Sequence, residues 1–427
     1  MRHAIALATA ALVWCTAGCG DRHATQGIEL TFSGSAVGGE GQLLRRQLDG
    51  FMRDHPDIRV RILPTPDDAT QRHQLFVQWL NARVGDPDIL QLDVVWTAEF
   101  AAAGWIIALD RWSPDTSAFF PATMRANRWD GRLYALPWFV DAGMLYWRTD
   151  LVPRAPATLD DLRASARDAL AGNEAPPFGI VWQGARYEGL VTVFLEYLGA
   201  FGGQILDSTG RAVVDGDAAV RALTFMREQI GTIAPPDVLT WHEEETRFAF
   251  QNGRAVYMRN WPYAYALLSD TAASQVASRF SVTTMPGAPG GEPTATLGGA
   301  QLAINAFAEY PDSAWLVVAH LTAPAQMLER ARLTGQFPAR LQVYDDPRLD
   351  EALAVPADRA REIVMHAEPR PVTPIWSELS EVLQIHLHRA LAGQSPPREA
   401  LTRAASEMNA LLERSGLADR ARGVRRG

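Results

Sequence analysis

Strand and helix patterns alternate along the first part of the chain, and this alternation limits the possible folds more than any other feature. Period-two hydrophobicity predicts strands over residues 28–32, 59–63 and 88–92. Apolar residues at helical spacing predict a helix around residues 44–52, and a second helix is expected over residues 71–83. This β-α-β-α-β order is typical of a mostly parallel sheet covered by helices. The chain is therefore predicted to be an α/β protein.

The length of the chain calls for more than one core. With 427 residues it exceeds what a single hydrophobic core usually serves, so two lobes are expected. Helices dominate after about residue 312. Further strands are predicted over residues 133–136, 144–147, 178–182, 255–258, 280–285 and 300–304. These units suffice for two α/β lobes, with a crevice where the strand ends converge.

The charged residues exclude several classes of function. The chain has 40 basic and 49 acidic residues, and its net charge of −9 disfavours a nucleic-acid partner. All 40 basic residues are arginines, so no lysine is present for a phosphate-binding P-loop, a Schiff base or a nucleophile. Arginine cannot replace lysine in these roles because it stays protonated.

The first residues have the pattern of an export signal. Residues 1–18 combine a basic start, an apolar run too short to span a bilayer, and small residues before Cys19. The stretch Thr-Ala-Gly-Cys at residues 16–19 resembles a bacterial lipobox, which predicts lipidation of Cys19 and a tether over residues 19–27. The alternative is a plain secretory signal, with Cys19 incidental.

The rest of the chain agrees with an exported protein. Cys15 and Cys19 are its only cysteines, so the mature body is expected to have no disulfide and no cysteine-based metal site. No later window has the run of about 18 apolar residues that a spanning helix needs. The protein is therefore expected in the periplasm or another extracytoplasmic space, held to the membrane only by its lipid anchor. Residues 421–427 form a basic tail that is expected to be flexible.

Common catalytic and metal-binding motifs are missing from the sequence. His242 is followed by Glu243 but by no second histidine one turn later. His386 and His388 would point to different sides of a helix. No GxSxG motif occurs, and the glycines around residues 38–41 lack GxGxxG spacing. We expect no metal, no cofactor and no enzyme activity, although a glycosidase stays open because its paired carboxylates can come from distant segments.

Three carboxylates near predicted strand ends suit a saccharide. A sugar presents many hydroxyls and apolar C–H faces, so its site needs carboxylates, arginines and aromatic rings. Glu40 lies in a glycine-rich loop, Asp93 ends the third strand, and Asp141 lies in a passage between two strands. Each has an alternative role: Glu40 can favour a helix dipole, Asp93 can cap a helix and Asp141 can be a turn residue.

Later segments add aromatic, backbone and cationic groups. Trp261 and Tyr263 flank a proline after a predicted strand and suit ring stacking, with core filling as the alternative. Gly298 and Gly299 could let backbone N–H groups meet a hydroxyl, or could only form a turn. Arg370 lies between two prolines, from where it could reach across a cleft or face solvent.

A set of segments in fixed order resembles the solute-binding lipoproteins of carbohydrate ABC importers (family 1), nearest to the trehalose/maltose-binding branch. The segments are GDPDILQLDVVWTAEFA (85–101), YALPWFVDAG (134–143), LYWRTDL (145–151), QG (183–184), YEGL (187–190), MRNWPY (258–263), LGG (297–299) and RP (370–371). The resemblance extends over nearly the whole mature chain, and the segments follow one another in the family's order.

The resemblance implies a fold and a set of ligand contacts. The fold is that of type II periplasmic binding proteins, with two α/β lobes, a hinge near residues 137–141 and a ligand cleft. The implied division gives residues 28–139 and 300–346 to lobe 1, and residues 140–299 and 347–420 to lobe 2. The implied ligand contacts are Glu40, Arg72, Asp93, Phe139, Asp141, Tyr187, Trp261, Tyr263, Gly298, Gly299 and Arg370.

The resemblance also implies a function. A monomeric lipoprotein would pass a di- or oligosaccharide, most similar to trehalose or maltose, to the transmembrane subunits of a permease. A binding protein for glycerol phosphate or a polyol is the alternative. Two residues depart from the family pattern: Ala300 stands where related proteins often have Trp, and Phe139 where they often have Tyr. Both changes remove contact or hydrogen-bonding capacity, so the preferred sugar can differ.

Overall fold

Two larger β-sheets, each covered by helices, and a separate two-stranded sheet make up the described part of the protein. The computed structural model describes residues 27–35, 40–172 and 175–416. The expected signal peptide, Cys19, almost all of the tether and the tail of residues 421–427 lie outside the described residues. Among the described helices, none is long and apolar enough to cross a membrane.

Strands and helices alternate strictly over residues 28–102, are mixed as far as residue 338, and are then followed, within the described residues, by helices only. The strands are β1 (Ile28–Gly34), β2 (Ile58–Pro64), β3 (Ile89–Asp93), β4 (Arg128–Trp129), β5 (Arg132–Leu133), β6 (Ala135–Ala142), β7 (Met144–Arg148), β8 (Phe178–Val181), β9 (Ala255–Asn260), β10 (Phe280–Thr284), β11 (Leu297–Ile304) and β12 (Phe337–Pro338). The α-helices are α1 (Glu40–Asp54), α2 (Ala69–Asn81), α3 (Thr97–Ala102), α4 (Pro121–Ala126), α5 (Leu159–Leu170), α6 (Glu188–Ala200), α7 (Asp217–Gln229), α8 (Glu243–Gln251), α9 (Ala264–Ser269), α10 (Pro311–Leu321), α11 (Pro324–Thr334), α12 (Ala357–His366), α13 (Trp376–Leu391) and α14 (Pro397–Arg414). Short 3₁₀ helices cover Leu109–Trp112, Pro236–Thr240, Leu341–Asp345 and Pro347–Leu349.

The first sheet has the order β12-β6-β11-β3-β1-β2. Strand β1 pairs in parallel with β2 and β3, as the β-α-β-α-β pattern predicts. Strand β11 runs antiparallel to both β3 and β6, so the complete sheet is mixed. Helices α1, α10, α11 and α12 pack around this sheet, and strands β1 and β3 are almost wholly buried between the layers.

The second sheet has the order β10-β7-β9-β8. Only β8 and β9 are parallel; β7 pairs antiparallel with β9 and β10. Helices α5 and α8 pack on this sheet, and α6, α7, α13 and α14 form a helical layer beside it. Helix α5 begins at a capping box, in which the side chains of Thr158 and Asp161 each accept a hydrogen bond from the backbone N–H of the other residue.

Within the described residues, three segments connect the two lobes: residue 143 and residues 285–296 link strands of the two sheets, and residues 367–375 link α12 to α13. They are hydrogen bonded to one another. The N–H of Gly143 donates to the carbonyl of Thr296, and the N–H of Leu297 donates to the carbonyl of Glu368. The sequence placed the hinge near residues 137–141, but these residues lie within β6, and the chain leaves the first sheet only after residue 142.

The packing also bears on the lobe boundaries. Residues 140–142 and 297–299 pair with each other in the first sheet. Helix α12 contacts β6, and the 3₁₀ helix Pro347–Leu349 contacts α11. We therefore propose that the lobes divide at the three connecting segments, which moves residues 140–142, 297–299 and 347–366 into lobe 1.

Candidate ligand-binding site

A cavity of about 350 Å³ lies between the two lobes. Its volume falls in the usual range for small-molecule sites. All of the residues that the sequence singled out as ligand contacts line it: Glu40, Arg72, Asp93, Phe139, Asp141, Tyr187, Trp261, Tyr263, Gly298, Gly299 and Arg370. The structure thus brings these distant segments together, and their role as sugar contacts stays a proposal.

Most of these residues reach the cavity from the end of a helix or strand or from the paired strands β6 and β11, whereas Arg370 lies in the connecting segment 367–375. Asp93 ends β3, and Glu40 is the first residue of α1 rather than part of a loop. Asp141 and Gly298 face each other as paired residues of β6 and β11, so neither is the turn residue that its alternative reading suggested. The sheet therefore fixes the backbone of the floor of the cavity.

Glu40 is buried and Asp141 is partly buried, and the carboxyl group of each has free acceptor capacity. Oε2 of Glu40 and Oδ1 of Asp141 have no hydrogen-bond partner among the described residues. Burial raises the pKa of Glu40 to about 7, although Arg330 and Gln336 act in the opposite direction. Burial and the charge of Glu40 raise the pKa of Asp141 to about 8. A ligand that donates hydrogen bonds would find both oxygens available.

Arg370 joins groups from both lobes at one wall of the cavity. Its Nη1 donates to Oε1 of Glu188 at 2.6 Å, and its Nη2 donates to Oδ1 of Asp93 at 2.9 Å. Burial disfavours its charge, but the two carboxylates outweigh this effect and raise the pKa of Arg370. Only its Nε lacks a partner among the described residues, so Arg370 mainly orients Asp93 and closes the wall.

Arg72 supports another wall from α2. Its Nη1 donates to the backbone carbonyls of Pro66 at 2.9 Å and Asp67 at 3.1 Å. Its guanidinium carbon lies 5.4 Å from the centre of the Trp96 ring, a cation–π arrangement. The arginine therefore fixes the turn before α2, while its Nε has no partner among the described residues.

Trp261 and Tyr263 are held in place by carboxylates at the start of α8. Nε1 of Trp261 donates to Glu243 at 3.2 Å, and the hydroxyl of Tyr263 donates to Glu244 at 2.7 Å. The guanidinium of Arg259 lies 3.8 Å from the centre of the Trp261 ring and covers one of its faces. These bonds make rigid aromatic platforms, which suit stacking on an apolar sugar face.

Tyr187 forms a further aromatic wall. Its ring lies 4.4 Å from the ring of His242, centre to centre. Burial and the charge of Glu243 raise the pKa of Tyr187, which keeps its hydroxyl protonated. A Cβ at Gly189 would overlap this hydroxyl, so glycine is needed there for the tyrosine to fit.

Gly299 permits the close approach of β11 to β6. Its φ of 113° is in the region that side chains disfavour, and a Cβ would overlap the carbonyl oxygen of Phe139. The pairing register shifts just after this point, between Ala300 and Gln301. Gly298, Ala300 and Phe139 line the cavity beside it, so the two positions that depart from the family pattern both lie at the site.

Sequence reasoning missed several residues of the cavity wall. The sequence pattern of His242, Glu243 and Glu244 shows only that a metal-binding motif is incomplete. In the structure these residues lie at the start of α8 and Glu243 contacts Trp261, a position that a predicted helix start would have indicated. Gln336 gave no signal, because it reaches Glu40 from almost 300 positions away in the sequence. The missed lining residues are Ser35, Asp67, Asp68, Ala69, Gln71, Gln91, Leu92, Glu188, Gly189, Thr192, His242, Glu243, Glu244, Glu245 and Gln336.

The charge of the lining limits the ligand. Nine carboxyl side chains line the cavity, against two arginines and one histidine. Such a surface suits hydroxyl donors and opposes a phosphate. Among the described residues, no cluster of three or more His, Cys, Asp or Glu side chains is arranged to hold a metal ion.

Comparisons with known proteins agree with this architecture. Residues 36–328 match the family model described as bacterial extracellular solute-binding protein. A probable ABC transporter-binding protein of Deinococcus radiodurans is 34% identical over 387 residues, which cover 88% of this chain and 91% of that protein.

Solved structures show the same fold. The chain resembles maltose-bound MalE3 of T. maritima, with a TM-score of 0.86 and 41% identity over 90% of this chain and all of that one. It also resembles a solute-binding protein from Thermotoga lettingae bound with α-D-tagatose, with a TM-score of 0.80 and 23% identity over 90% of this chain and all of that one, a level that shows the fold alone. The predicted fold of two α/β lobes about a cleft is thereby confirmed, and so is the family that the ordered segments indicated. The chain belongs to the bacterial extracellular solute-binding proteins.

Proposed function

We propose that this protein is the substrate-binding component of an ABC sugar importer and that it holds a di- or oligosaccharide, a trehalose- or maltose-like α-glucoside, between its lobes. The observation that carries the proposal is the single cavity that unites unpartnered carboxyl oxygens with fixed aromatic platforms. The 41% identity to a maltose-bound protein and the 34% identity to a probable ABC transporter-binding protein support it.

The chemistry of the cavity fits recognition without reaction. Glu40, Asp93 and Asp141 would accept hydrogen bonds from sugar hydroxyls, while Trp261 and Tyr263 would cover an apolar sugar face. The surplus of carboxylates disfavours glycerol phosphate as the cargo. No bond of the sugar would be broken, so the protein would bind and release its cargo unchanged.

Delivery would depend on movement of the lobes. The three connecting segments are hydrogen bonded at one edge of the cleft and would act as the hinge. Ligand would select the closed form, which would then dock as a monomer on the transmembrane subunits of the permease. Lipidation of Cys19 would keep the protein at the membrane surface in the periplasm or an equivalent space.

Ligand binding can be tested on the mature chain with a thermal-shift panel. The panel contains trehalose, maltose, longer maltodextrins, mannitol, ribitol and glycerol phosphate, and calorimetry gives the affinity of each hit. An α-glucoside should raise the melting temperature because it binds only the folded state. Trp261→Ala should abolish that rise without preventing folding. A rise with a polyol or glycerol phosphate alone would replace the proposed cargo.

Two further measurements test the remaining parts. Incubation of the pure protein with trehalose and maltose should release no glucose, and measurable turnover would favour the glycosidase alternative. The full-length protein should incorporate radiolabelled palmitate in cells, whereas Cys19→Ala should not. Labelling of both would place the lipid elsewhere, and labelling of neither would favour a plain secretory signal.

A further inference from the structure

Arg330 is a buried arginine that lies behind the cavity and does not line it. It is on α11 and only 1% of its surface is exposed. Its guanidinium carbon lies 3.8 Å from the centre of the Trp138 ring and 5.1 Å from that of Phe139. Its Nε and Nη2 have no hydrogen-bond partner among the described residues. Burial of a charged guanidinium has an unfavourable desolvation free energy, and the helix α11 does not itself require an arginine at this position.

A chain of hydrogen bonds links Arg330 to the ligand cavity. Nη1 of Arg330 donates to the amide oxygen of Gln336 at 2.7 Å, while the hydroxyl of Thr334 donates to the backbone carbonyl of Arg330 at 2.8 Å. With its oxygen occupied by Arg330, Gln336 turns its amide N–H toward Glu40, where it donates to Oε1. Arg330 therefore fixes which oxygen of Glu40 is occupied and leaves Oε2 for a ligand.

Arg330 also supplies positive charge to two carboxyl groups. Its charge acts on both Glu40 and Asp141 and lowers the pKa of each against the larger effect of burial. Arg259 also acts on Asp141, but this arginine already forms a fully buried ion pair with Glu196. Burial lowers the pKa of Arg330 itself to about 10, which leaves it charged at neutral pH.

We propose that Arg330 is a positioning residue for the sugar: through Gln336 it orients Glu40, and through its charge it keeps Glu40 and Asp141 able to accept hydrogen bonds from sugar hydroxyls. The inference rests on the proposed function, since it assigns a role in sugar binding at the same cavity. It predicts that Arg330 controls how sugar affinity depends on pH, a property that a purely structural arginine would not affect.

The sign of this effect follows from the groups that face the two carboxyls. Glu40 faces Arg330, Gln336, Arg72 and Asp67, and Asp141 faces Glu40, Arg259, Arg330 and Asp93. Ionised carboxylates accept hydrogen bonds from hydroxyls better than neutral acids do, so sugar affinity should rise as both groups lose their protons. Loss of the Arg330 charge should move this rise to higher pH.

The test is calorimetry of the full mature chain with maltose and trehalose from about pH 5.5 to about pH 9. Relative to wild type, Arg330→Met should move the rise in affinity to higher pH by about one unit. At pH 7 its sugar affinity should therefore be weaker by a factor of up to about ten. The difference should shrink at the alkaline end. Arg330→Lys keeps the charge and should keep a profile close to that of wild type.

Gln336→Met provides a second variant that leaves Arg330 in place. It removes the hydrogen bond to Glu40 and should shift the profile in the same direction by a smaller amount. If Arg330→Met fails to fold, Arg330→Lys and Gln336→Met decide, and a wild-type profile in Gln336→Met overturns the proposal. Superimposable profiles of wild type and Arg330→Met overturn this proposal alone. A wild type that binds no saccharide at any pH overturns the proposed function as well.

Discussion

Nε2 of His242 lies 3.1 Å from Oδ2 of Asp68 and joins two helices that belong to different lobes. Asp68 caps the N-terminus of α2 beside the first sheet, and His242 precedes α8, which packs on the second sheet. Close by, the backbone N–H of Glu188 in lobe 2 donates to the hydroxyl of Thr70 in lobe 1 at 3.3 Å. These contacts bridge the two lobes beside the cavity, which Asp68, Glu188 and His242 all line.

Replacing His242 by glutamine should abolish a pH response of cleft closure. The hydrogen bond to Asp68 outweighs burial and raises the pKa of His242, so the charged pair stabilises the closed form at low pH. This contribution is lost as the pH rises through the raised pKa. The unliganded wild type should therefore open as the pH rises through the raised pKa of His242, whereas His242→Gln should show one distance distribution throughout.

Spin labels on the two lobes measure this movement. Residues after Cys19 include no cysteine, so two introduced cysteines would carry the labels without background. His366→Gln is the matched control, since His366 is exposed and bonds only within its own helix. It should respond to pH like wild type. A wild-type distance distribution that does not change with pH would remove the proposed role of the pair.

Glu40→Gln and Asp141→Asn should each stabilise the unliganded protein at pH 8 while weakening sugar binding. The folded pKa values of about 7 and about 8 lie above the ordinary values of 4.5 and 3.8. The folded state therefore holds more protons than the unfolded state, and stability falls as the pH rises through this window. The gain should be on the order of 1–3 kcal/mol at pH 8 and near zero at about pH 4.

Urea unfolding at both pH values measures the effect. Asp345→Asn serves as a control because Asp345 is exposed and pairs only weakly with Arg361. It should change the free energy of unfolding little at either pH. If Glu40→Gln and Asp141→Asn destabilise the unliganded protein at pH 8, the ionised carboxylates of Glu40 and Asp141 do not lower the free energy of unfolding as their burial implies.

The elements of the cleft were more predictable than the network behind it. Strands β1–β3 and their helices follow hydrophobic periodicity, and the residues named at the site lie in segments with a recognisable local pattern. Arg330 and Gln336 had no such pattern, because their role depends on tertiary packing. β12 is a two-residue strand that includes Pro338 at the sheet edge, where proline is tolerated but gives no strand signal.

The ends of strands β6 and β11, near the connection between the two sheets, were also hard to predict from the sequence. Pro137 suggested a break between two strands, yet β6 continues through it to Ala142. Gly298 and Gly299 suggested a turn before β11 and are strand residues instead. In both cases the long ladder between β6 and β11 overrides local propensity, since its pairing is set by the neighbouring strand.

Glu243→Leu should weaken sugar binding by a factor of about 3 to 10, which corresponds to the loss of one hydrogen bond. The carboxylate of Glu243 accepts from Nε1 of Trp261 and so fixes the orientation of this ring. Glu243→Gln keeps an acceptor oxygen and is the matched control. Calorimetry with the sugar identified in the panel should rank wild type and Glu243→Gln above Glu243→Leu. Equal affinities would show that Trp261 is fixed by packing alone.

Gly143 connects the two sheets at a point where no side chain fits. The fully buried ion pair of Arg259 and Glu196 approaches its backbone so closely that a Cβ would overlap Oε1 of Glu196 and lie 2.6 Å from Nη2 of Arg259. Arg259 in turn covers one face of Trp261 in the ligand cavity. Gly143 at the connection between the sheets, the Arg259–Glu196 ion pair and the Trp261 ring are therefore in a continuous series of contacts.

Gly143→Ala should destabilise the protein by about 1–3 kcal/mol, the usual cost of adding volume to a close-packed interior. It should also weaken sugar binding, because the displaced Arg259 no longer supports Trp261 from below. Gly50→Ala is the control: Gly50 lies in α1, a Cβ there meets nothing closer than 3.6 Å, and alanine favours the helix. Chemical unfolding and calorimetry on both variants measure the two effects. Unchanged stability of Gly143→Ala would mean that the ion pair can shift at no cost, and unchanged affinity would separate the crossing from the cavity.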